Sequence, residues 1–415
     1  MHPWGLVWES FRTNPFFCLR VLGILRFHLT LSLNREKRDP GIAVISRPYF
    51  PYTEIGFPTR YDFFYRKGGI RMGKGDAIHY FVDANSSAVY VDLWEQSFGG
   101  LSHVAELSDF PDDTAERLLF AVRSRAEEQG TRVEVIHHCL TNRPMGLILP
   151  ELSAGVINRQ TWRPGSFSAL AALEDETLAQ SRAALRSAWT LFGEARLVHD
   201  EWEKYYIENL NFSAVDALAQ ETCEKLLGGK RPVRTGEGSV VERFFGAATA
   251  FGSVDHIPSV TAGLRKRYFI KGRPGTGKST FLKKIAAAAR EQGFDVELYR
   301  CSLDPNSCDM VVIRELGFCV FDSTAPHEYF PDREGDETID IYRAAVREGT
   351  DERYAAELAD VTERYRAIVR QATASLAAAQ RALEAFQRAK LPVFSAGTLA
   401  GQQERLLELL FSEGA

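Results

Sequence analysis

No two cysteines in this 415-residue chain are spaced as Cys-x-x-Cys. The six present, Cys18, Cys139, Cys223, Cys301, Cys308 and Cys319, are spread thinly, which argues against a disulfide framework and reads as reduced thiols in a cytoplasmic protein. His137-His138-Cys139 has no matching second ligand pair, so it reads as a strand end rather than a zinc site. Positive charge is not in excess either. Lys and Arg number 50 against 55 Asp and Glu, a net charge of −5, which gives no global electrostatic case for nucleic acid. Long apolar runs are also missing. The stretch Phe16–His28 is broken by Arg20, Arg26 and His28, too interrupted to span a bilayer, and no small-residue cleavage site follows it.

The chain is 45% hydrophobic, enough to bury more than one core, and two to three domains are expected. One stretch organises the rest: Gly272-Arg273-Pro274-Gly275-Thr276-Gly277-Lys278-Ser279-Thr280. It is entered from the strand-like Arg267-Tyr-Phe-Ile270 and followed by the alanine-rich helix former Phe281–Arg290. Strand, glycine-rich turn and helix are together what a phosphate-binding P-loop requires. The glycines let successive backbone N–H groups converge on a phosphate, and the helix N-terminus adds its positive dipole end. Lys278 is expected to reach the β/γ oxygens of ATP and the Ser279 hydroxyl to ligate Mg²⁺.

Downstream, Leu316–Asp322 is a short apolar run ending in a carboxylate. It predicts a buried parallel strand carrying Asp322 to the metal side of the site. Ser323 follows where many motor-type ATPases have a glutamate, which leaves Glu315, His327 and Glu328 as candidate bases. Arg300, Arg314 and Arg333 are candidates for transition-state charge. No Asn-Lys-x-Asp guanine motif is present, which favours adenine.

A diverged internal repeat runs from Met72. Gly100-Leu101 set against Gly263-Leu264 gives an offset of 163; Arg125–Gly130 then falls on Ala288–Gly293, Val133-Glu134 on Val296-Glu297, and, with gaps, Asn158 on Asp322. Upstream, His79-Tyr-Phe81 parallels Arg243-Phe-Phe245. Opposite the P-loop the first copy carries Asp109-Phe-Pro-Asp112-Asp113-Thr-Ala115-Glu116. It has lost the glycines and the lysine and placed acids where phosphates would sit, so it should bind no nucleotide triphosphate. Scaffold, lid, or donor of Arg159 or Arg163 are its expected uses.

The expected division is an atypical segment 1–71, a degenerate P-loop-like domain 72–228, a linker 229–240 and an active P-loop domain 241–415. Each domain is an α/β unit, a parallel sheet with flanking helices, with its own helical extension, and Ser213 and Asp216 are candidate caps in the first extension. Lys67-Gly-Gly69 before Met72 reads back as a ribosome-binding sequence, so Met72 is the expected natural start. A tandem chain of this kind satisfies its own pseudo-symmetric interface, which favours a monomer.

The residues Arg267–Thr280, Cys301-Ser302, Asp304-Pro305 and Asp322-Ser-Thr-Ala-Pro-His327 resemble a bacterial family of tandem P-loop proteins generally described as ATP-binding proteins or ATPases. The resemblance runs from about Met72 to the C-terminus. It implies nucleotide contacts at Gly272–Thr280, a metal-side role for Asp322, and His327 nearby. The family carries a P-loop in its first copy too, and this chain does not. The readings that follow are a Mg²⁺-dependent ATPase; a small-molecule or nucleotide kinase, with Arg343, Arg347, Arg353, Arg364, Arg366 and Arg370 facing the acceptor; or a nucleotide-gated binding module.

Overall fold

The computed structural model describes residues 43–45, 77–107, 110–158, 175–232 and 235–411. All belong to the unit Ile42–Ala415. Met1–Gly41, Asp109, Arg159 and Arg163 lie outside the described residues.

In chain order the first half contributes β1 (Ala43–Ile45), β2 (Ile78–Phe81), the hairpin β3 (Asp83–Ser86) and β4 (Val89–Asp92), β5 (His103–Glu106), β6 (Glu134–His137), β7 (Pro144–Leu149) and β8 (Ala154–Ile157). The second contributes β9 (Val240–Arg243), the hairpin β10 (Gly246–Thr249) and β11 (Gly252–Asp255), β12 (Lys266–Lys271), β13 (Val296–Arg300), β14 (Cys308–Ile313), β15 (Phe318–Asp322) and β16 (Glu337–Asp340). They form two six-stranded sheets, β1-β5-β8-β7-β6-β2 and β16-β12-β15-β14-β13-β9. The sheets are mixed rather than parallel, because β7 and β14 each run against both neighbours. The cause is local. A short loop after β6 or β13 turns the chain straight back, where a parallel neighbour would need a long crossover. Strand β15 is buried along Phe318–Phe321, as an apolar run covered on both faces should be.

The strand registers sharpen the repeat. Glu134 pairs with Ile148 and Ile78, and Glu297 with Val312 and Val241. Tyr80 therefore corresponds to Arg243 and Phe81 to Phe244, one residue away from the upstream alignment read from sequence. Phe81 and Phe244 also meet directly, exchanging two antiparallel backbone hydrogen bonds of 2.8 and 2.9 Å where the two halves touch.

The helices are exchanged between the halves instead of staying with their own. Helix Phe212–Leu227, which follows the first sheet, packs Val215, Ala219 and Leu226 against Phe281, Leu282 and Ile285 of helix Lys278–Gln292. Helix Ala396–Phe411, at the C-terminus, packs Leu406 and Leu410 against Leu118, Leu119 and Val122 of helix Asp112–Glu128. Asn211 caps the first of these, accepting from the Ala214 N–H; Ser213 and Asp216 do not, and Asp216 pairs with Lys284. The two long helices, Glu176–Ile207 and Ala355–Lys390, lie antiparallel across both halves. Ser181 Oγ donates to the Ala379 carbonyl at 2.9 Å near one end, and Arg364 pairs with Glu201 at 2.7 Å near the other.

Beside the Phe81–Phe244 contact lies a buried charge network. Arg243 bridges Glu134 at 2.9 Å and Glu297 at 3.7 Å, and Arg314 holds Glu297 from the other side at 2.5 Å. Tyr80 and Tyr299 donate their hydroxyls to Glu134 and Glu297, and the Arg243 guanidinium stacks on the Tyr80 ring. Burial works against the Glu297 charge, but Arg314 and Arg243 outweigh it and hold its pKa below the usual carboxylate value. Removing one member of such a buried set costs about 3–5 kcal/mol, since it strands the remaining charge.

Three histidines close the same junction. His79 Nδ1 lies 2.8 Å from His137 Nε2, and the His137 and His256 rings are 4.2 Å apart. Burial first, then the neighbouring rings, lowers His79 to about 4 and His256 to about 3. Burial lowers His137 as well; Arg123 acts in the same direction, while the Asn142 carbonyl and Glu116 act against it, as Asp255 does at His256. Histidines held neutral in the folded chain leave the unfolded chain to take protons first. Their contribution is therefore intact above about pH 6.5 and is lost as pH falls from there toward 4 and 3. The melting temperature should drop through that window, and the His79→Gln/His256→Gln double variant should flatten the drop; equal slopes would contradict this.

Candidate functional site

The glycine-rich loop leaves β12 at its carboxyl end. Gly275 has φ +75° and Gly277 φ +84°, conformations that side-chain-bearing residues rarely adopt. A side chain on Gly272 would meet Thr276 Oγ1 at 2.7 Å. That hydroxyl donates to the Arg273 carbonyl at 2.8 Å and accepts the Arg273 N–H, which locks the turn. Helix Lys278–Gln292 begins at once after Gly277 with no capping side chain, so its first N–H groups are left to the loop and whatever the loop holds.

The residues singled out in the sequence converge here. Lys278 Nζ donates to the Arg273 carbonyl at 2.7 Å and stands 3.6 Å from Asp322 Oδ2. Asp322 ends β15 directly beside Ile270 of β12, and its Oδ1 accepts from the Thr324 N–H and hydroxyl. Ser279 Oγ accepts the Cys308 N–H at 2.9 Å. Arg273 points elsewhere: Asp351 takes its guanidinium at 2.9 Å and the Tyr342 ring lies under it. Thr280 is exposed and Pro274 is half-buried on the loop.

Other candidates are not brought in. Glu315 accepts the Asp295 N–H, and Arg314 is committed to Glu297, both where β14 turns into β15, away from the loop. Arg333 donates to the Thr261 carbonyl, and Arg300 is held by Glu242 and the Pro305 carbonyl. Glu328 pairs with Lys271. Of the three candidate bases, His327 is the one that acts on Asp309. Its Nδ1 lies 2.9 Å from Asp255 Oδ2, and Tyr329 donates to the other Asp255 oxygen at 2.8 Å. Burial opposes the Asp255 charge, but these bonds outweigh it and lower the pKa.

Two site residues carry no local signature. Asp255 arrives on the β10–β11 hairpin, distant in sequence from the loop. Asp309, near the start of β14, lies one residue beyond the Met310–Phe321 pair on the side of Asp322, at a bulge against β13. Burial, and then the neighbouring Asp322, push the Asp309 carboxyl up to about 6, against the pull of His327, a Cys301 hydrogen bond and Lys278.

The first half shows what replaces this arrangement. Its registers put Ala115 and Glu116 in the places of Lys278 and Ser279, and Met145 opposite Asn158 in the places of Asp309 and Asp322. No lysine or ligating hydroxyl stands in register there to offset the acids. Instead Arg143, from the loop after β6, bridges Asp113 and Glu116, and Asp112 is tied to Asn158 and Gln387. The place is closed by its own side chains.

No family model, curated protein or solved structure matches the chain. The site must therefore be read from its own chemistry.

Helix Glu176–Ile207 roofs the loop: a Cβ on Gly275 would sit 2.7 Å from the Glu203 carbonyl. On that helix His199, Asp200 and Glu203 bring three ligand atoms within 4.8 Å of one another, though Asp200 is already paired with Arg196 and His199 with Glu203. Alongside opens a cleft of about 460 Å³, bounded by Trp202, Tyr206, Arg273, Leu358, Glu363 and Arg366. Gly275→Ala should lower the melting temperature more than Gly252→Ala, which also lies at positive φ but has nothing within 4 Å. Backbone strain alone costs about 1–2 kcal/mol and contact with Glu203 adds a further ~1–3 kcal/mol. Equal losses would show that the roof does not press on the loop.

Proposed function

We propose that the chain is a Mg²⁺-dependent ATP-binding protein and ATPase with one working P-loop, in the second of two related α/β halves. The observation that carries this reading is the convergence of Lys278 and Ser279, at one uncapped helix N-terminus, with Asp322 from the end of β15. Loop amides would take the β-phosphate, and Lys278, already turned into the loop, would take the β/γ oxygens. Ser279 and Asp322 are hard oxygen donors suited to Mg²⁺, which supplies neutralisation of the charge that builds on the leaving phosphate. Water attacks the γ-phosphorus, the bridging P–O bond breaks, and ADP and phosphate leave.

The kinase reading is weaker on the arrangement of its arginines. Arg364 pairs with Glu201 and Asp360, and Arg370 with Glu363, so these face carboxylates rather than an acceptor. Arg366 alone of the six borders the cleft. The family resemblance and the absence of a guanine motif favour ATP over GTP.

The test is phosphate release from ATP by the full chain with Mg²⁺. Lys278→Ala should lower it at least about 100-fold, with no acceptor needed, in line with loss of a principal transition-state charge. Release only with an added acceptor would favour the kinase, and ATP binding that does not depend on Lys278 would overturn the assignment of the site.

A further inference from the structure

We infer that Asp309 is the second carboxylate of the Mg²⁺ site, holding the cation together with Asp322 beside Ser279. This rests on the nucleotide-binding reading and extends it to a residue that no motif marks. Three observations carry it. The start of β14 is fastened to the site at the hydroxyl expected to ligate the metal, through the Cys308 N–H on Ser279 Oγ. The β14–β15 register pairs Met310 with Phe321, which leaves Asp309 one residue beyond that pair on the side of Asp322, at a bulge against β13, and Asp322, His327 and Lys278 are its charged neighbours. Finally, the half without a P-loop lacks the whole set. Ala115, Glu116, Met145 and Asn158 stand where Lys278, Ser279, Asp309 and Asp322 do.

The charge balance explains why a cation belongs there. Elsewhere in the chain juxtaposed acids are bridged by arginine, as Asp332 and Asp336 are by Arg267, or Asp113 and Glu116 by Arg143. Among the described residues no arginine bridges Asp309 and Asp322; Lys278 stands 3.6 Å from Asp322 and acts with His327 on Asp309, and a bound nucleotide would draw that lysine to its phosphates. Two neighbouring carboxylates then repel each other until a divalent ion comes between them. Asp309 thus supplies a second carboxylate to the cation from the neighbouring antiparallel strand.

Thermal melting of the full chain against added Mg²⁺, without nucleotide, reads this directly, and Mn²⁺ titration followed by electron paramagnetic resonance checks it. Wild type should gain stability with Mg²⁺. Asp309→Asn, nearly isosteric, should melt at least as high as wild type without metal, because the repulsion is gone, and should lose the Mg²⁺-dependent gain. Its Mn²⁺ affinity should fall about 10-fold or more, as for Asp322→Asn, while metal-free ATP still binds. A Mg²⁺ response and Mn²⁺ affinity unchanged in Asp309→Asn but lost in Asp322→Asn would overturn the role of Asp309 and leave the nucleotide site standing. Loss of Lys278-dependent ATP binding in wild type would overturn both.

Discussion

Arg243 is the residue on which the two halves depend. It reaches from the end of β9 to Glu134 of one sheet and Glu297 of the other, with side chains almost wholly excluded from water. Three groups of two signs so placed are stable only in one geometry, since any slip leaves a charge unpaired in a poorly polarisable surrounding. The Phe81–Phe244 backbone pair beside them fixes the same register. The edges of the two sheets are thereby set against each other, and the hairpins β3–β4 and β10–β11 that follow them are placed as a consequence. One of those hairpins carries Asp255 to His327.

The exchanged helices make the arrangement hard to divide. The helix that closes the core around helix Lys278–Gln292 comes from the chain before it, and the helix that closes the first core comes from the C-terminal end of the described residues. Neither half keeps a complete core when cut at the boundary between sheets. The first half also supplies the roof over Gly275 through Glu203 and one wall of the cleft through Trp202 and Tyr206. In its own counterpart of the site, Arg143 bridges Asp113 and Glu116.

Much of the site was legible because its signals are local. The loop glycines, Lys278 and Ser279 lie within a few residues, and an apolar run ending in Asp322 reads as a buried strand whatever surrounds it. Asp309 was not legible, because its meaning depends on β14 running antiparallel to β15, which only the hairpin geometry decides. Arg143 hid for the same reason: it sits far along the chain from the acids it bridges. The sequence match of Val133-Glu134 with Val296-Glu297 falls on corresponding register positions of the two sheets, but those glutamates read as ordinary strand residues. Their burial against Arg243 and Arg314 belongs to the packing of both halves, which no window of sequence contains. The helices themselves followed from their periodicity; their destinations did not, because an amphipathic face does not say which partner it covers.

Calorimetric unfolding of the full chain with and without Mg²⁺ and ATP tests the central claim, that one working nucleotide site is built into a single cooperative unit. The account predicts one transition, with equal calorimetric and van't Hoff enthalpies, that moves upward as a whole with ATP and does not move in Lys278→Ala. Two transitions, of which ATP moves only one, would contradict it.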